Sequence, residues 1–274
     1  MPKAVGPMQI ATAPLPLRVV RVIVRGTALV WGVVGCLAEY GLTRLSGKLT
    51  PQDRTDILHK WCRRTLPRIG VKIDVVGVPP GSGLTASNHL SYLDILVFSA
   101  VTPCSFVSKQ EVRSWPAVGW IATLAGAVYV DRSRRSETHS VQPEMQSALA
   151  NDVRLILFPE GTSSDGSRLL PFHSSLFQPA VALQVPITAA CISYTLSDGI
   201  AGTEACYWGK MSMFPHLLNL LTESSVRATL KFSSEPHRFA SRKQAAQCMQ
   251  AEVERLREVP VEVSRVSCKN INNK

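Results

Sequence analysis

Residues 84–101 read LTASNHLSYLDILVFSAV, and this stretch decides the fold. It opens with the short run Leu-Thr-Ala-Ser, passes through the polar pair Asn88-His89, and ends in a longer, mainly apolar segment. This pattern predicts a short strand that leads through a turn into a helix. A Pro- and Gly-rich turn at residues 79–83 separates it from an earlier strand-like run, VKIDVVG, at residues 71–77.

The rest of the chain repeats this alternation of strand and helix signals. Further strands are predicted at residues 105–108, 127–130, 153–158, 187–193 and 226–232. Helical signals lie between the strands, including residues 136–150 and 241–256. We therefore predict an α/β fold with a mostly parallel sheet flanked by helices.

The composition indicates attraction to an anionic surface. The formal net charge is +10, and hydrophobic residues make up 45% of the chain. Because the sequence has no zinc-finger spacing and no RNP-like aromatic motif, lipid is favoured over nucleic acid as the anionic partner. The seven cysteines are scattered without a CxxC pair, which predicts reduced structural thiols, no metal site and a cytoplasmic catalytic domain.

The N-terminal residues form a basic and apolar arm. Arg18, Arg21 and Arg25 share one face of a predicted helix, as in helices that lie in a membrane interface. The longest uncharged stretch, residues 26–38, is shorter than the roughly 20 residues that span a bilayer, so spanning would require the arginines to snorkel. A cleaved signal peptide, a lipoprotein site at Gly35-Cys36 and a helix packed on the domain are the alternatives.

We predict two units, a membrane-associated helical arm over residues 1–48 and a catalytic domain over residues 49–274. The expected location is the cytoplasmic face of the inner membrane, with a monotopic attachment or a single short anchor. A second helix is predicted from Thr50 to Leu66, because Thr50 suits an N-cap and Pro51 the first helical position. Its Trp61 stands among cations, which suits either the lipid head-group layer or a core-facing helix with a basic back.

The residues that can carry chemistry begin with His89 and Asp94. On a continuous helix, a spacing of five would turn the two side chains about 140° apart. They meet only if His89 lies in the loop before the helix and Asp94 lies in the first turns of the helix. Asp94 would then accept a hydrogen bond from one imidazole nitrogen and leave the other nitrogen as a base.

Two further polar clusters follow predicted strands. The run Phe158-Pro159-Glu160-Gly161-Thr162 comes directly after an apolar strand, and Tyr129-Val130-Asp131-Arg132 ends another. In open α/β sheets, sites form at the carboxyl ends of the strands. We therefore expect these clusters to converge with His89 on one cleft.

Taken together, the motifs resemble the glycerolipid acyltransferase family, whose members acylate glycerol phosphate, lysophosphatidate and related lysolipids. The resemblance covers roughly residues 70 to 195. It is collinear and runs through His89 and Asp94, Lys109, Pro116-x-x-Gly119, Val130 to Arg132, Phe158 to Thr162, and Val185-Pro186.

The resemblance implies direct acyl transfer from acyl carrier protein or coenzyme A to a lipid hydroxyl, with His89 as general base and Asp94 as its orienting partner. The thioester is a co-substrate, and no bound cofactor or metal is expected. The sequence has no GxSxG elbow for an acyl-enzyme. The resemblance also implies substrate-binding roles, for which the candidates are Arg132, Glu160, Gly161, Thr162, Lys109 and Ser163. Alternatively, Glu160 caps a helix or pairs with Arg132, and Arg132 forms a surface ion pair.

Ser163 departs from the family pattern, since members that make phosphatidate often carry Arg directly after Glu-Gly-Thr. A Ser hydroxyl offers one neutral donor, whereas an Arg fork holds a phosphate through two charge-assisted hydrogen bonds. Residues 160–172 look more like bacterial members that acylate lyso-ornithine lipid, which has an amino-acid head group and no phosphate. We therefore narrowly favour that acceptor over 1-acyl-sn-glycerol-3-phosphate. A non-catalytic lipid-binding protein with the same fold and a nucleic-acid-binding protein are the remaining alternatives.

Overall fold

The computed structural model describes residues 14–47, 49–110, 113, 119, 122–123, 126–130, 143–151, 153–197 and 204–259. The helices are α1 (Leu15–Leu45), α2 (Pro51–Arg68), α3 (Leu93–Val101), α4 (Pro143–Ala150), α5 (Gln178–Ala182), α6 (Met213–Thr222) and α7 (Arg242–Glu258). The strands are β1 (Val71–Val76), β2 (Leu84–Ser87), β3 (Ser105–Lys109), β4 (Val128–Val130), β5 (Leu155–Leu157), β6 (Ile187–Leu196) and β7 (Val226–Phe232).

The strands form a seven-stranded sheet in the order β1-β7-β6-β2-β5-β3-β4. All neighbouring strands pair in parallel except β6 and β7, which are antiparallel. The predicted α/β fold with a mostly parallel sheet is therefore confirmed. Of the helix predicted over residues 136–150, the structure describes the part from Pro143 onward. Helix α6 was not predicted from the sequence.

Two apolar cores lie on opposite faces of the sheet. Successive residues of β6 alternate between them, with Ala190 and Ile192 on the face of α2 and α3, and Ala189 and Cys191 on the face of α7. Burial on both faces explains why this strand reads as an almost continuous apolar run. Strands β2 and β5 are neighbours in the sheet, so the turns that follow them leave the same edge side by side.

Helix α2 begins with a reciprocal capping box. The Thr50 hydroxyl accepts from the Asp53 backbone N–H, and the Asp53 carboxylate accepts from the Thr50 backbone N–H. This confirms the predicted start of the helix. The helix ends at Arg68 rather than at Leu66, because Leu66 is buried in the core and Pro67 is accommodated in the last turn.

Helix α1 turns its arginines toward the protein. Arg21 donates to the Thr222 carbonyl oxygen at 2.9 Å, and Arg25 donates to the carbonyl oxygens of Leu221 and Ser224, so both bind the C-terminal end of α6. Arg18 donates to the Thr222 hydroxyl at 3.2 Å. Cations at a helix C-terminus interact favourably with the helix dipole. The arginine face of α1 is therefore packed on the domain, as one of the alternatives for this helix expected, and the attachment of α1 to a membrane stays a prediction.

Two glycines let α1 approach α2 closely. A Cβ atom at Gly35 would lie 2.1 Å from the Trp61 ring, and a Cβ atom at Gly32 would lie 2.2 Å from the Thr65 hydroxyl oxygen. The Trp61 indole N–H donates to Glu39 at 2.9 Å. Trp61 therefore lies between the two helices, which favours the second of its two alternatives, a core-facing helix with a basic back.

The outward side of α1 is apolar. The exposed side chains on it include Val20, Ile23, Val30, Trp31 and Val34, of which Trp31 is 72% exposed. The helix has 31 residues, and within the described residues it is the one helix long and apolar enough to cross a membrane by length and composition. The division of the chain at residue 48 stays a prediction.

Candidate active site

The site is built around the turn that follows β2. Backbone pairing of β2 with β6 ends at Ser87. The Asn88 side chain then continues it, accepting from the Ile192 backbone N–H at 2.8 Å and donating to the Ile192 carbonyl oxygen at 2.9 Å. This pair of hydrogen bonds fixes the point at which the chain leaves the sheet, and therefore the position of His89.

His89 and Asp94 meet as predicted, with the histidine before α3 and the aspartate in its first turn. The His89 Nδ1 atom lies 2.7 Å from Asp94 Oδ2. Because an ionised carboxylate only accepts hydrogen bonds, Nδ1 carries the proton in the neutral imidazole and Nε2 is left as the basic nitrogen. The backbone N–H groups of Leu90 and Ser91 also donate to Oδ2, at 2.7 and 3.0 Å.

Tyr194 supplies a donor that sequence reasoning missed. Its hydroxyl donates to Asp94 Oδ1 at 2.6 Å, so both carboxylate oxygens are bound. Asp94 is fully buried, and Tyr194 is 6% exposed. Burial and the neighbouring Asp94 carboxylate raise the pKa of Tyr194 well above its ordinary value, so the phenol stays a donor. Tyr194 lies a hundred residues further along the chain, and no local pattern links it to Asp94.

Two residues of the turn after β5 hold the histidine in place. The His89 ring stacks on Phe158, with centroids 4.2 Å apart and an angle of 15° between the planes. The Glu160 carboxylate accepts from the His89 backbone N–H at 2.7 Å and from the Leu170 backbone N–H at 2.9 Å. Burial raises the pKa of Glu160, and these two hydrogen bonds oppose the rise.

Glu160 does not cap a helix, because its carboxylate binds the backbone N–H groups of His89 and Leu170. The alternative that it pairs with Arg132 stays a prediction, since Arg132 lies outside the described residues. The place of Glu160 in the acceptor pocket stays a prediction. Gly161 has a φ of 74°, which favours glycine in this turn. Thr162 is exposed and Ser163 is half-buried. Arg132 and the Lys109 side chain lie outside the described part of the structure.

Tyr92, in the turn that follows β2, packs against an aromatic cluster that includes the ring of His216. Tyr92 donates to His216 Nδ1 at 3.0 Å, and His216 Nε2 donates to the Cys206 carbonyl oxygen at 3.1 Å. Burial lowers the pKa of His216, which favours this neutral form. His216 therefore has a structural role. The six cysteines in the described residues are all free thiols, and no group that could hold a metal ion lies among those residues.

Comparison with known proteins gives the family. A family model described as Acyltransferase matches residues 72–193, which include the turns of His89 and Glu160. The 1-acyl-sn-glycerol-3-phosphate acyltransferase of Neisseria meningitidis serogroup B is 32% identical over 176 residues, and the match covers 60% of this chain and 69% of that protein. The chain belongs to the acyltransferase family.

Another relative of this acyltransferase is the lyso-ornithine lipid O-acyltransferase of Brucella abortus. It is 37% identical over 161 residues, which cover 54% of this chain. The matched region spans 60% of the Brucella protein's length. The two relatives thus carry the names of two different acceptors.

The fold of this acyltransferase also resembles a solved structure. The crystal structure of the 1-acyl-sn-glycerophosphate (LPA) acyltransferase PlsC from Thermotoga maritima superimposes with a TM-score of 0.62 and covers 89% of this chain and 99% of its own. The two sequences are 20% identical, so the likeness concerns the fold.

Proposed function

We propose that the chain transfers a fatty acyl chain from acyl carrier protein or coenzyme A to the free hydroxyl of a monoacyl lipid, at the cytoplasmic face of the inner membrane. The observation that carries the proposal is the His89–Asp94 pair, in which a buried carboxylate with both oxygens bound orients an imidazole. A base held in this way can remove a proton without first reorganising its surroundings.

In the proposed reaction, His89 Nε2 removes the proton of the lipid hydroxyl while the hydroxyl oxygen attacks the thioester carbonyl carbon. The new C–O bond forms, the C–S bond breaks, and the proton passes to the thiolate that leaves. Asp94 stabilises the imidazolium that forms between these steps and is not itself protonated. Phe158 and Glu160 hold the ring and the backbone of His89 in one orientation.

This mechanism predicts that His89→Ala and Asp94→Asn each lower kcat by 10³-fold or more, on the order seen when a general base or its orienting carboxylate is removed. Thiol release from acyl-CoA or acyl carrier protein in the presence of acceptor measures the rate. Circular dichroism and thermal unfolding of the purified variants serve as the folding control. Normal acyl transfer by either variant would rule out the assigned roles, and lysolipid binding without thiol release by the native chain would indicate a non-catalytic lipid-binding protein.

For the acceptor, we narrowly favour lyso-ornithine lipid, with 1-acyl-sn-glycerol-3-phosphate as the alternative. Ser163 supports the first choice, because it offers no cationic fork for a phosphate. The name of the Neisseria relative supports the alternative.

A side-by-side assay of the two acceptors tests this choice. We expect the native chain to prefer lyso-ornithine lipid, and Ser163→Arg to shift the ratio of kcat/KM values toward lysophosphatidate by about tenfold or more, as a charge-assisted contact provides. Ser175→Arg, at an exposed position further along the chain, is the matched control. An unchanged ratio in Ser163→Arg would contradict the phosphate argument.

A further inference from the structure

A cavity of about 690 Å³ lies beside the His89–Asp94 pair. Its wall includes Asn88 and Leu90, the residues on either side of His89, and Tyr194, whose hydroxyl binds Asp94. The volume is in the range of pockets that bind small molecules. A ligand in this cavity therefore lies against the turn that carries the base.

The wall carries charges of both signs. The cations are Lys231 and Arg257, and the carboxylates are Asp165, Glu254 and Glu258. Arg257 and Glu254 neutralise each other at 3.0 Å. Among the residues that the structure describes, Lys231, Asp165 and Glu258 have no oppositely charged group within ion-pair distance. Asp165 Oδ1 accepts from the Ser167 backbone N–H and hydroxyl, at 3.0 and 2.7 Å. Lys231, Glu258 and the second oxygen of Asp165 can therefore bind a ligand.

Lys231 is the most constrained of these groups. It is 5% exposed, and its ammonium donates to the carbonyl oxygens of Leu256 and Val259, at 2.8 and 2.5 Å. An ammonium has three N–H donors, so one remains after these two contacts. Leu256 and Val259 lie at the C-terminal end of α7, where the helix dipole interacts favourably with the ammonium. The remaining N–H can still donate to an anionic group of a ligand at this end of the cavity.

The balance of charge on the wall distinguishes two classes of head group. A phosphomonoester, with about two negative charges, would meet three carboxylates against two cations. A head group with one carboxylate and one ammonium finds a partner for each charge. Repulsion between like charges lowers the affinity for a ligand of the wrong charge. The wall, with more carboxylates than cations, therefore disfavours a phosphate head group.

We propose that this cavity binds a zwitterionic amino-acid head group, with its carboxylate at Lys231 and its ammonium at Asp165 and Glu258. The inference rests on the proposed function and names the part of the acceptor that the chain recognises. The loop of Asp165 is fixed to α7 by a hydrogen bond from Arg257 to the Gly166 carbonyl oxygen at 3.0 Å. Both ends of the head group are therefore held by elements joined to each other.

The test compares acceptors that differ in one charge. Lyso-ornithine lipid is offered beside its carboxyl methyl ester and beside its N-acetylated form, and KM and kcat are measured for the native chain, Lys231→Met and Glu258→Gln. In the native chain, each blocked acceptor is expected to raise KM by about tenfold or more. Lys231→Met is expected to lose discrimination against the methyl ester only, and Glu258→Gln to weaken discrimination against the N-acetylated acceptor only. Lys243→Met and Glu252→Gln, on α7 and outside the cavity wall, are the matched controls.

The outcomes separate this inference from the proposed function. If the native chain acylates lyso-ornithine lipid but neither variant changes the discrimination against the blocked acceptors, the cavity assignment is wrong. The proposed acceptor would still be correct. If the native chain acylates lysophosphatidate and leaves lyso-ornithine lipid unchanged, the proposed acceptor fails and the zwitterion site fails with it. Glu258 is exposed, so Glu258→Gln is expected to fold. If Lys231→Met does not fold, Glu258→Gln alone tests the cavity assignment.

Discussion

Asp94 accepts hydrogen bonds from two side chains, one at each carboxylate oxygen, and from two backbone N–H groups. His89 and the turn amides bind Oδ2, and Tyr194 binds Oδ1 from the neighbouring strand β6. A carboxylate with this many donors has little freedom to rotate. The direction of the His89 ring is consequently set by the sheet as well as by the turn.

Removing the Tyr194 hydroxyl tests this role. Tyr194→Phe leaves Oδ1 buried without its donor, and a hydrogen bond to a charged group contributes about 1.5–3 kcal/mol. If that contribution is expressed in the transition state, kcat falls by about 10- to 100-fold while KM stays close to its native value. Steady-state kinetics over a range of pH measures both effects and shows whether the titration of the base has moved.

Tyr40→Phe is the control for that substitution, because Tyr40 is similarly buried, at 7% exposure, and lies in α1 away from the pair. A Tyr194→Phe enzyme with native kcat and an unchanged pH profile would show that Tyr194 is only a packing residue.

For individual residues, the sequence predicts the contacts between near neighbours in the chain. The five-residue spacing required His89 to lie in a loop and Asp94 in the first helical turn, and both are found there. Glu160 was correctly placed at a strand end, but its bond to the His89 backbone follows from the adjacency of β2 and β5, which spacing does not encode. Tyr194 is brought to Asp94 by the pairing of β2 with β6, and its position in an apolar strand gives no sign of this.

The elements that position the site depend on a close crossing of α1 and α2. Gly35→Ala would place a methyl group 2.1 Å from the Trp61 ring, so the ring or one of the two helices has to move. Overpacking of this kind costs about 1–3 kcal/mol of unfolding free energy. We expect a lower thermal midpoint, measured by circular dichroism in detergent.

Gly26→Ala is the opposite case on the same helix, since nothing lies within 4 Å of a Cβ atom there. Alanine favours a helix over glycine by about 0.5–1 kcal/mol, so this variant should unfold at the same or a higher temperature. Equal destabilisation by both substitutions would contradict the close crossing.

Local capping made α2 predictable, because Thr50, Pro51 and Asp53 are all within one turn. The partner of the α1 arginines was not predictable, since the carbonyl groups they bind lie about two hundred residues later in α6. The same arginine spacing suits a lipid interface and a docked helix equally well. Only the tertiary contact distinguishes the two.

The whole chain has a formal net charge of +10, and its helix α1 presents an apolar outward face. We expect Trp31→Glu to lower partitioning onto vesicles of anionic and zwitterionic lipid by about tenfold or more, because a buried aromatic side chain contributes about 1.5–3 kcal/mol. Cosedimentation with the vesicles at fixed salt measures the effect.

Val78→Glu, an 80% exposed apolar position between β1 and β2, is the control for the vesicle experiment. If both variants bind as the native chain does, the outward face of α1 is not the membrane contact. Retention on DNA at the same salt would instead favour a nucleic-acid partner.

Strand β6 connects the binding of the acceptor with the orientation of the base. Its Ile192 binds Asn88 through the backbone, its Tyr194 binds Asp94, and both residues also line the cavity proposed for the head group. Ligand binding and the order of the base thus depend on the position of one strand. Such linkage is reciprocal. An acceptor that orders β6 on binding favours the aligned His89 base, and an aligned His89 base raises the affinity for the acceptor by the same factor.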